Sequence, residues 1–201
     1  MRSNAEQLIR KTMANFVDTE IVPKAQEIDE QGEFPMEIFQ EMGRMGVFGI
    51  RYPKDKGGSG GNTTLFCIII EEIARGLVSA AATTAMQCLM GTNFLFQYGT
   101  PEMHEQYFLP AMRGEKIGCF CLTEPEAGGD LGNVTTLATK TADGYVLNGL
   151  KTWVTDGPVG SFYTVLTQTD PVKKLRGLNF FFVPRDTPGV SVSKPFNLLG
   201  T

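Results

Sequence analysis

Residues 134–149 read VTTLATKTADGYVLNG, and the parsing of this stretch decides the fold. From Val134 to Ala142 apolar and polar residues alternate, the period-two pattern of a strand with one face covered. Asp143-Gly144 is a strong two-residue hairpin turn, and YVLNG returns along the same ladder. Further on, KTWVTD (151–156), SFYTVLTQT (161–169) and LNFFFVPR (178–185) are β-rich runs separated by turn residues. Back toward the N-terminus the period-two pattern begins near residue 115.

Before that point the period is 3.6. Leu8, Ile9, Met13, Phe16 and Val17 recur at helix spacing, and a second apolar face of Phe34, Ile38, Phe39, Met42 and Met45 starts beside Pro35 and stops at Gly46. After the loop YPKDKGGSGGNTT, the segment Leu65 to Ala74 is apolar on nearly all sides, which predicts a buried helix, and Ser79 to Gly99 repeats the helical pattern. Thr100 and Pro101 form an N-cap and N1 pair, opening a helix that Pro110 must bend or end. The expected fold is α+β and multidomain: about five helices in an N-terminal all-α domain (residues 1–115), then an antiparallel β-barrel or sandwich domain (116–201) packed against it.

Bulk composition narrows the function. With 201 residues, 42% hydrophobic and 20% charged, the chain can bury a core; a formal charge of −4 and pI near 5.1 leave no footprint for nucleic acid. The longest apolar run, LFCIII (65–70), is far short of the roughly 20 residues a membrane span needs. MRSNAEQLIRK resembles neither a signal nor a transit peptide, so a cytoplasmic location is expected. Cys67, Cys88, Cys119 and Cys121 lack metal-ligand spacing and read as reduced packing residues. A single histidine, His104, disfavours a zinc site or a Ser-His-Asp relay, and no metal is expected. Any proton transfer must use carboxylates or a group the chain lacks.

Two glycine-rich stretches need separate readings. GGSGG (57–61) is followed by no Lys-Ser/Thr and reads as an interhelical loop. GGDLG (128–132) lacks the G-x-G-x-x-G order and leads into a strand, so a dinucleotide fold is rejected. Small residues at Ala127, Gly128 and Gly129 could still turn backbone N–H groups toward an anion. IGCFCLT (117–123), extended as a strand, would set Phe120, Leu122 and Glu124 on one face and Cys119, Cys121 and Thr123 on the other. Trp153 and Thr155, also two apart, would lie side by side on a strand face. Such a wall ending in hydroxyls and amides suits a flat ring with a phosphate tail, although core packing explains a lone tryptophan as well. Glu124, Glu126 and Asp130 read simply as a polar turn.

CFCLTEPEAGGD (119–130) followed by LNGLKTWVTDG (147–157) resembles the paired signatures of the acyl-CoA dehydrogenase family. PKDKGGSGG (53–61), EEIARG (71–76) and TPGVSVSKPFNLLG (187–200) extend the likeness over essentially the whole chain. The resemblance implies FAD as cofactor, an acyl-CoA substrate oxidised between Cα and Cβ, an electron-transfer flavoprotein as acceptor, and a homo-oligomer, tetrameric at full length. It assigns Phe120, Cys121, Leu122, Thr123, Gly128, Gly129, Trp153, Val154 and Thr155 to the flavin. Thr155 would donate to N5, Trp153 would shield the ring edge, and Gly128 and Gly129 would meet the pyrophosphate and adjoining substrate. Met86 and Met90, at i and i+4, are candidates for the acyl pocket, with helix packing an equal alternative. Two positions depart from the pattern: Gly129 replaces the usual serine, and Glu126, expected to face solvent, stands where small residues are common. The family's catalytic base lies in a later helical domain, so the resemblance sets the base beyond Thr201, the last residue, and no residue of this chain is assigned that role. The expectation is a chain with its last β strands incomplete and no turnover alone. A superfamily oxidase or monooxygenase, and a noncatalytic flavin- or CoA-binding remnant, are the alternatives.

Overall fold

The structure, a computed structural model, describes residues 3–198. Thr201, past which the catalytic base is expected, lies outside the described residues. Five helical rods come first. Helix α1 (Asn4–Phe16) begins at Ser3, whose side chain accepts the Glu6 N–H, and buries Met13 and Phe16. It runs through a π turn (Val17–Ile21) and a short 3-10 stretch (Val22–Lys24) holding Pro23, then into α2 (Ala25–Gln31). Gly32 ends that rod at φ +63, the left-handed conformation glycine adopts without cost. Helix α3 (Met36–Arg44) buries Ile38, Phe39 and Met42, as its spacing predicts.

Helix α4 (Thr63–Gly76) is capped by Asn62 and buries Phe66, Ile68, Ile69, Glu72 and Ile73. Arg10 of α1 reaches both Glu71 (2.7 Å) and Glu72 (2.5 Å), clasping the two helices. At Gly76 an added Cβ would meet Val17 and Ile21, so the rods touch backbone to side chain there. The fourth rod is α5 (Val78–Met86), a π turn (Gln87–Gly91) and α6 (Asn93–Tyr98). The fifth is α7 (Pro101–Met103), a π turn (His104–Phe108) and α8 (Leu109–Met112). Thr100 caps it by accepting the Met103 N–H, and the wide turn precedes Pro110, which supplies no N–H of its own. The GGSGG stretch lies between α3 and α4, where the backbones of Tyr52 and Ile50 pass too close to Gly58 and Gly61 for any side chain.

The second half forms one mixed sheet, with five strands among the described residues: β1 (Gly118–Cys121), β2 (Leu137–Lys140), β3 (Tyr145–Asn148), β4 (Phe162–Gln168) and β5 (Leu178–Pro184). β2 and β3 are the predicted hairpin, pairing Leu137 with Asn148. β4 pairs antiparallel with β5 along its whole length, but parallel with β1 (Gly118 opposite Phe162) and, at Leu137 opposite Gln168, with β2. The purely antiparallel expectation is therefore corrected: the long connection from β1 to β4 is what a parallel pairing needs. KTWVTD is no strand either. Trp153 (φ +57) and Asp156 (φ +61) are left-handed, and a 3-10 turn (Gly157–Val159) follows. Cys119, Cys121 and Tyr163 of the sheet share one buried cluster with Phe16, Phe39 and Phe48 of the helical half.

Among the described residues no helix is long and apolar enough to cross a membrane. Three cysteines pack as expected, but Cys67 is exposed on α4, because the helix turns that one position outward.

Candidate flavin-facing site

β1 stops at Cys121 because the chain turns at Pro125, so the alternation expected through Glu124 ends early. Leu122 leaves the strand to pack with Ala127, Val134 and Leu166. The Thr123 carbonyl then accepts the Thr152 N–H at 2.9 Å, which brings the 119–130 and 147–157 motifs together. Lys151 seals the junction: its Nζ donates to the Leu122 carbonyl (3.0 Å) and to Glu124 Oε1 (2.7 Å).

Glu124 is a buried clamp, not the surface turn residue its neighbours suggest. The side chains of Lys151 and Glu124 are 9% and 1% exposed. Glu124 Oε2 accepts both the N–H and the hydroxyl of Thr135 at 2.7 Å, and Oε1 accepts the Thr136 N–H at 3.0 Å. Burial alone would raise this carboxyl, yet the donors from Lys151, Thr136 and Thr135 outweigh it and hold it at about 2. With Glu124 drawn inward, the turn Glu124–Ala127 closes through reciprocal backbone bonds of 2.9 and 3.2 Å.

Past the turn the chain opens to solvent. Gly128 and Gly129 are exposed, their N–H groups go to no carbonyl among the described residues, and an added Cβ at either would meet nothing within 4 Å. Asp130 is not a free acid, since it caps the next turn by accepting from Gly132 (2.9 Å) and Asn133 (3.1 Å). Glu126 is exposed, as expected.

Across the junction, Trp153 is 59% exposed and stacks on Phe196 with centroids 4.5 Å apart. Val154 is half-buried against the main core, while Thr155 is exposed. The left-handed turn at Trp153 means that it and Thr155 do not share a strand face. The hydroxyls of Thr123 and Thr155 have no partner among the described residues. Asp156 turns inward, accepting the Thr83 hydroxyl of α5 at 3.0 Å. Phe120 is half-buried between Phe94 and Phe180, each with its ring centroid 5.4 Å away. The Cys121 side chain is buried and its thiol is pushed up by burial to about 12, leaving only its backbone for a ligand. Met86 is half-buried and Met90 is 41% exposed, so helix packing does not consume either.

Apolar surface, two free hydroxyls and two outward amides can hold a planar ring carrying an anionic tail. Sequence reasoning missed Lys151, Thr83 and Asp156. Their partners lie 27 and 73 residues away, and no local pattern announces a pairing at that range. His104, the lone histidine, binds the Leu95 carbonyl at 2.7 Å and packs on Phe108. Among the described residues no group of three or more His, Cys, Asp or Glu could hold a metal.

Residues 3–115 match the family profile for the acyl-CoA dehydrogenase N-terminal domain, and residues 119–201 match that for its middle domain. Benzylmalonyl-CoA dehydrogenase of Aromatoleum aromaticum is 43% identical over 98% of this chain and 52% of its own. The caffeyl-CoA reductase-Etf complex subunit CarC of Acetobacterium woodii is 38% identical over 98% of this chain and 52% of its own. Among solved structures, a glutaryl-CoA dehydrogenase from Mycobacterium smegmatis in complex with FADH2 superposes with a TM-score of 0.91 at 29% identity, covering 98% of this chain and 50% of that one. The chain thus spans about half the length of the curated relatives it matches. Two family profiles, matched in order along the chain, place it in the acyl-CoA dehydrogenase family.

Proposed function

We propose that this chain supplies the flavin- and thioester-facing parts of an FAD-dependent acyl-CoA dehydrogenase that oxidises the Cα–Cβ bond of an acyl-CoA and passes electrons to an electron-transfer flavoprotein. The observation that carries this reading is the motif junction. One backbone bond, Thr152 to Thr123, and one buried ion pair, Lys151 with Glu124, set two unpartnered hydroxyls beside an exposed indole.

The residues present fit the cofactor. Gly128 and Gly129 would receive the pyrophosphate on free N–H groups, in space that a Cβ would not have obstructed. Thr123 and Thr155 would bond the polar edge of the ring, with Thr155 donating to N5. Phe120, Leu122, Trp153 and Val154 would form the apolar side, and Cys121 would contribute backbone only. Bound FAD supplies a two-electron acceptor for the hydride that leaves Cβ.

The chain's own groups then position and protect. Trp153 keeps water from the ring edge. Glu124 is a poor acceptor for a substrate proton, because a pKa held at about 2 makes it a weak base and its oxygens are filled by Lys151, Thr135 and Thr136. Asp156 turns toward α5 and away from the exposed face. With both carboxyls engaged, neither Glu124 nor Asp156 is assigned the Cα proton. Met86 and Met90 would meet the acyl group with thioethers that adapt to ring-bearing shapes. Relatives named for benzylmalonyl-CoA and caffeyl-CoA support an aryl-bearing acyl group, and the subunit named as part of an Etf complex supports the flavoprotein partner. The free cysteines suit a reducing cytoplasm, and exposed apolar side chains such as Tyr98 and Leu150 suit a homo-oligomer.

Anaerobic addition of an aryl-acyl-CoA to the flavin-loaded full-length protein should bleach the flavin's visible absorbance. T155V should slow that bleaching roughly 10-fold or more. A protein that takes up no flavin, or whose flavin is indifferent to every acyl-CoA tried, would end this reading.

A further inference from the structure

The loop from Gly149 to Gly160 contains a carboxyl group that the proposed chemistry does not use. Asp156 sits at φ +61 and Trp153 at φ +57, conformations that residues with a Cβ seldom hold. Two such residues bracketing Val154 and Thr155 need support from outside the loop. Part of it is plain: the Gly157 carbonyl accepts the Tyr163 hydroxyl at 3.1 Å, and Arg185 donates to the Gly160 carbonyl at 3.1 Å. The rest comes from Asp156, whose Oδ1 accepts the Thr83 hydroxyl of α5 while Oδ2 is buried without any partner among the described residues.

We propose that Asp156 is a positioning residue, a latch that ties the loop presenting Trp153 and Thr155 to Thr83 on α5, closed when its carboxyl is protonated and loosened when it is ionised. A buried carboxylate with one donor cannot recover the hydration it gave up, whereas the neutral acid has little to lose. Burial accordingly pushes Asp156 up to about 6, with the Thr83 bond pulling the other way. Among the described residues no neighbour supplies a second donor. From β1 the Cys119 thiol is pushed well up by burial and stays neutral. From β4 the Tyr163 phenol is raised likewise, chiefly by burial. Beyond β5, Arg185 is committed to Gly157, Gly160 and the Tyr163 hydroxyl. Lys151, in the same loop, is spent on Glu124. That the loop serves a flavin rests on the proposed function; the latch itself does not.

Trp153 is the chain's only tryptophan, so its fluorescence reads this loop directly in flavin-free protein. Acrylamide quenching of the full chain should rise as pH climbs through about 6. D156N, neutral at every pH, should keep the low-pH quenching of the wild type and show no transition, while D156A should be quenched more than the wild type at low pH. T83V removes the tie to α5 itself and should raise quenching at every pH, most visibly below about 6. H104Q, which removes the chain's single histidine, should leave the transition in place. A flat wild-type profile, or a transition that persists in D156N, overturns the latch. Should D156N fail to fold, T83V decides: low-pH quenching equal to that of the wild type overturns it. Failure to take up flavin would sink the proposed function and leave this fluorescence result standing, so the two are separable.

Discussion

At Gly129 the family's usual hydroxyl is missing, and the space it would fill is open. G129S should therefore add a donor without a clash and tighten flavin binding roughly 2- to 10-fold, the equivalent of a net hydrogen bond, measured by FAD titration. Lys151 offers the opposite experiment. K151M strands the buried Glu124 carboxylate and should cost about 3 kcal/mol in urea unfolding, with E124Q/K151M recovering part of the loss. Of these single residues, Gly129 could be singled out in the sequence because it sits in a short local motif. The clamp could not: Glu124 lies among Pro, Glu and Gly, the company of an exposed turn, and its burial is decided by Thr135, Thr136 and Lys151 arriving from elsewhere.

At the scale of elements, legibility followed locality. The Thr100 cap and the β2–β3 hairpin each depend on a few adjacent residues, and each forms as read, whereas at Pro110 the helix runs on to Met112 after a π turn. T100A should accordingly cost about 1 kcal/mol, seen as a lower midpoint of chemical denaturation. Pairing between β1 and β4 joins residues far apart in the chain (Gly118 with Phe162), so its parallel sense left no local trace. KTWVTD carries strand-forming residues, yet tertiary ties at Thr152 and Asp156 pull its backbone into the left-handed region. Intrinsic β preference is weak enough to be overridden that way.

For the whole molecule, one buried cluster joins helices to sheet, with Phe48 and Phe39 in contact at a centroid distance of 4.4 Å. F48A should cost roughly 3–5 kcal/mol. Far-UV dichroism and Trp153 fluorescence should then report a coincident unfolding transition, although they sample different halves of the chain. Two carboxyls push its pH dependence in opposite directions. Glu124 is depressed from its ordinary 4.5 to about 2, so its stabilisation is complete above 4.5 and drains away as pH falls toward 2. Asp156 is raised from 3.8 to about 6, so its contribution is complete below 3.8 and fades as pH rises through 6. Melting temperatures should accordingly peak on the acid side of neutrality, and D156N should extend the plateau upward. The π turn at Gln87–Gly91 makes the fourth rod resemble a keyed shaft. Removing one residue there would let the wide turn relax into regular helix while the downstream N–H groups keep the same carbonyl partners, so the residues that follow hold their facing. Phe94 would stay on Phe120, whereas one residue removed from the regular turns of α5 would carry it about 100° around the rod.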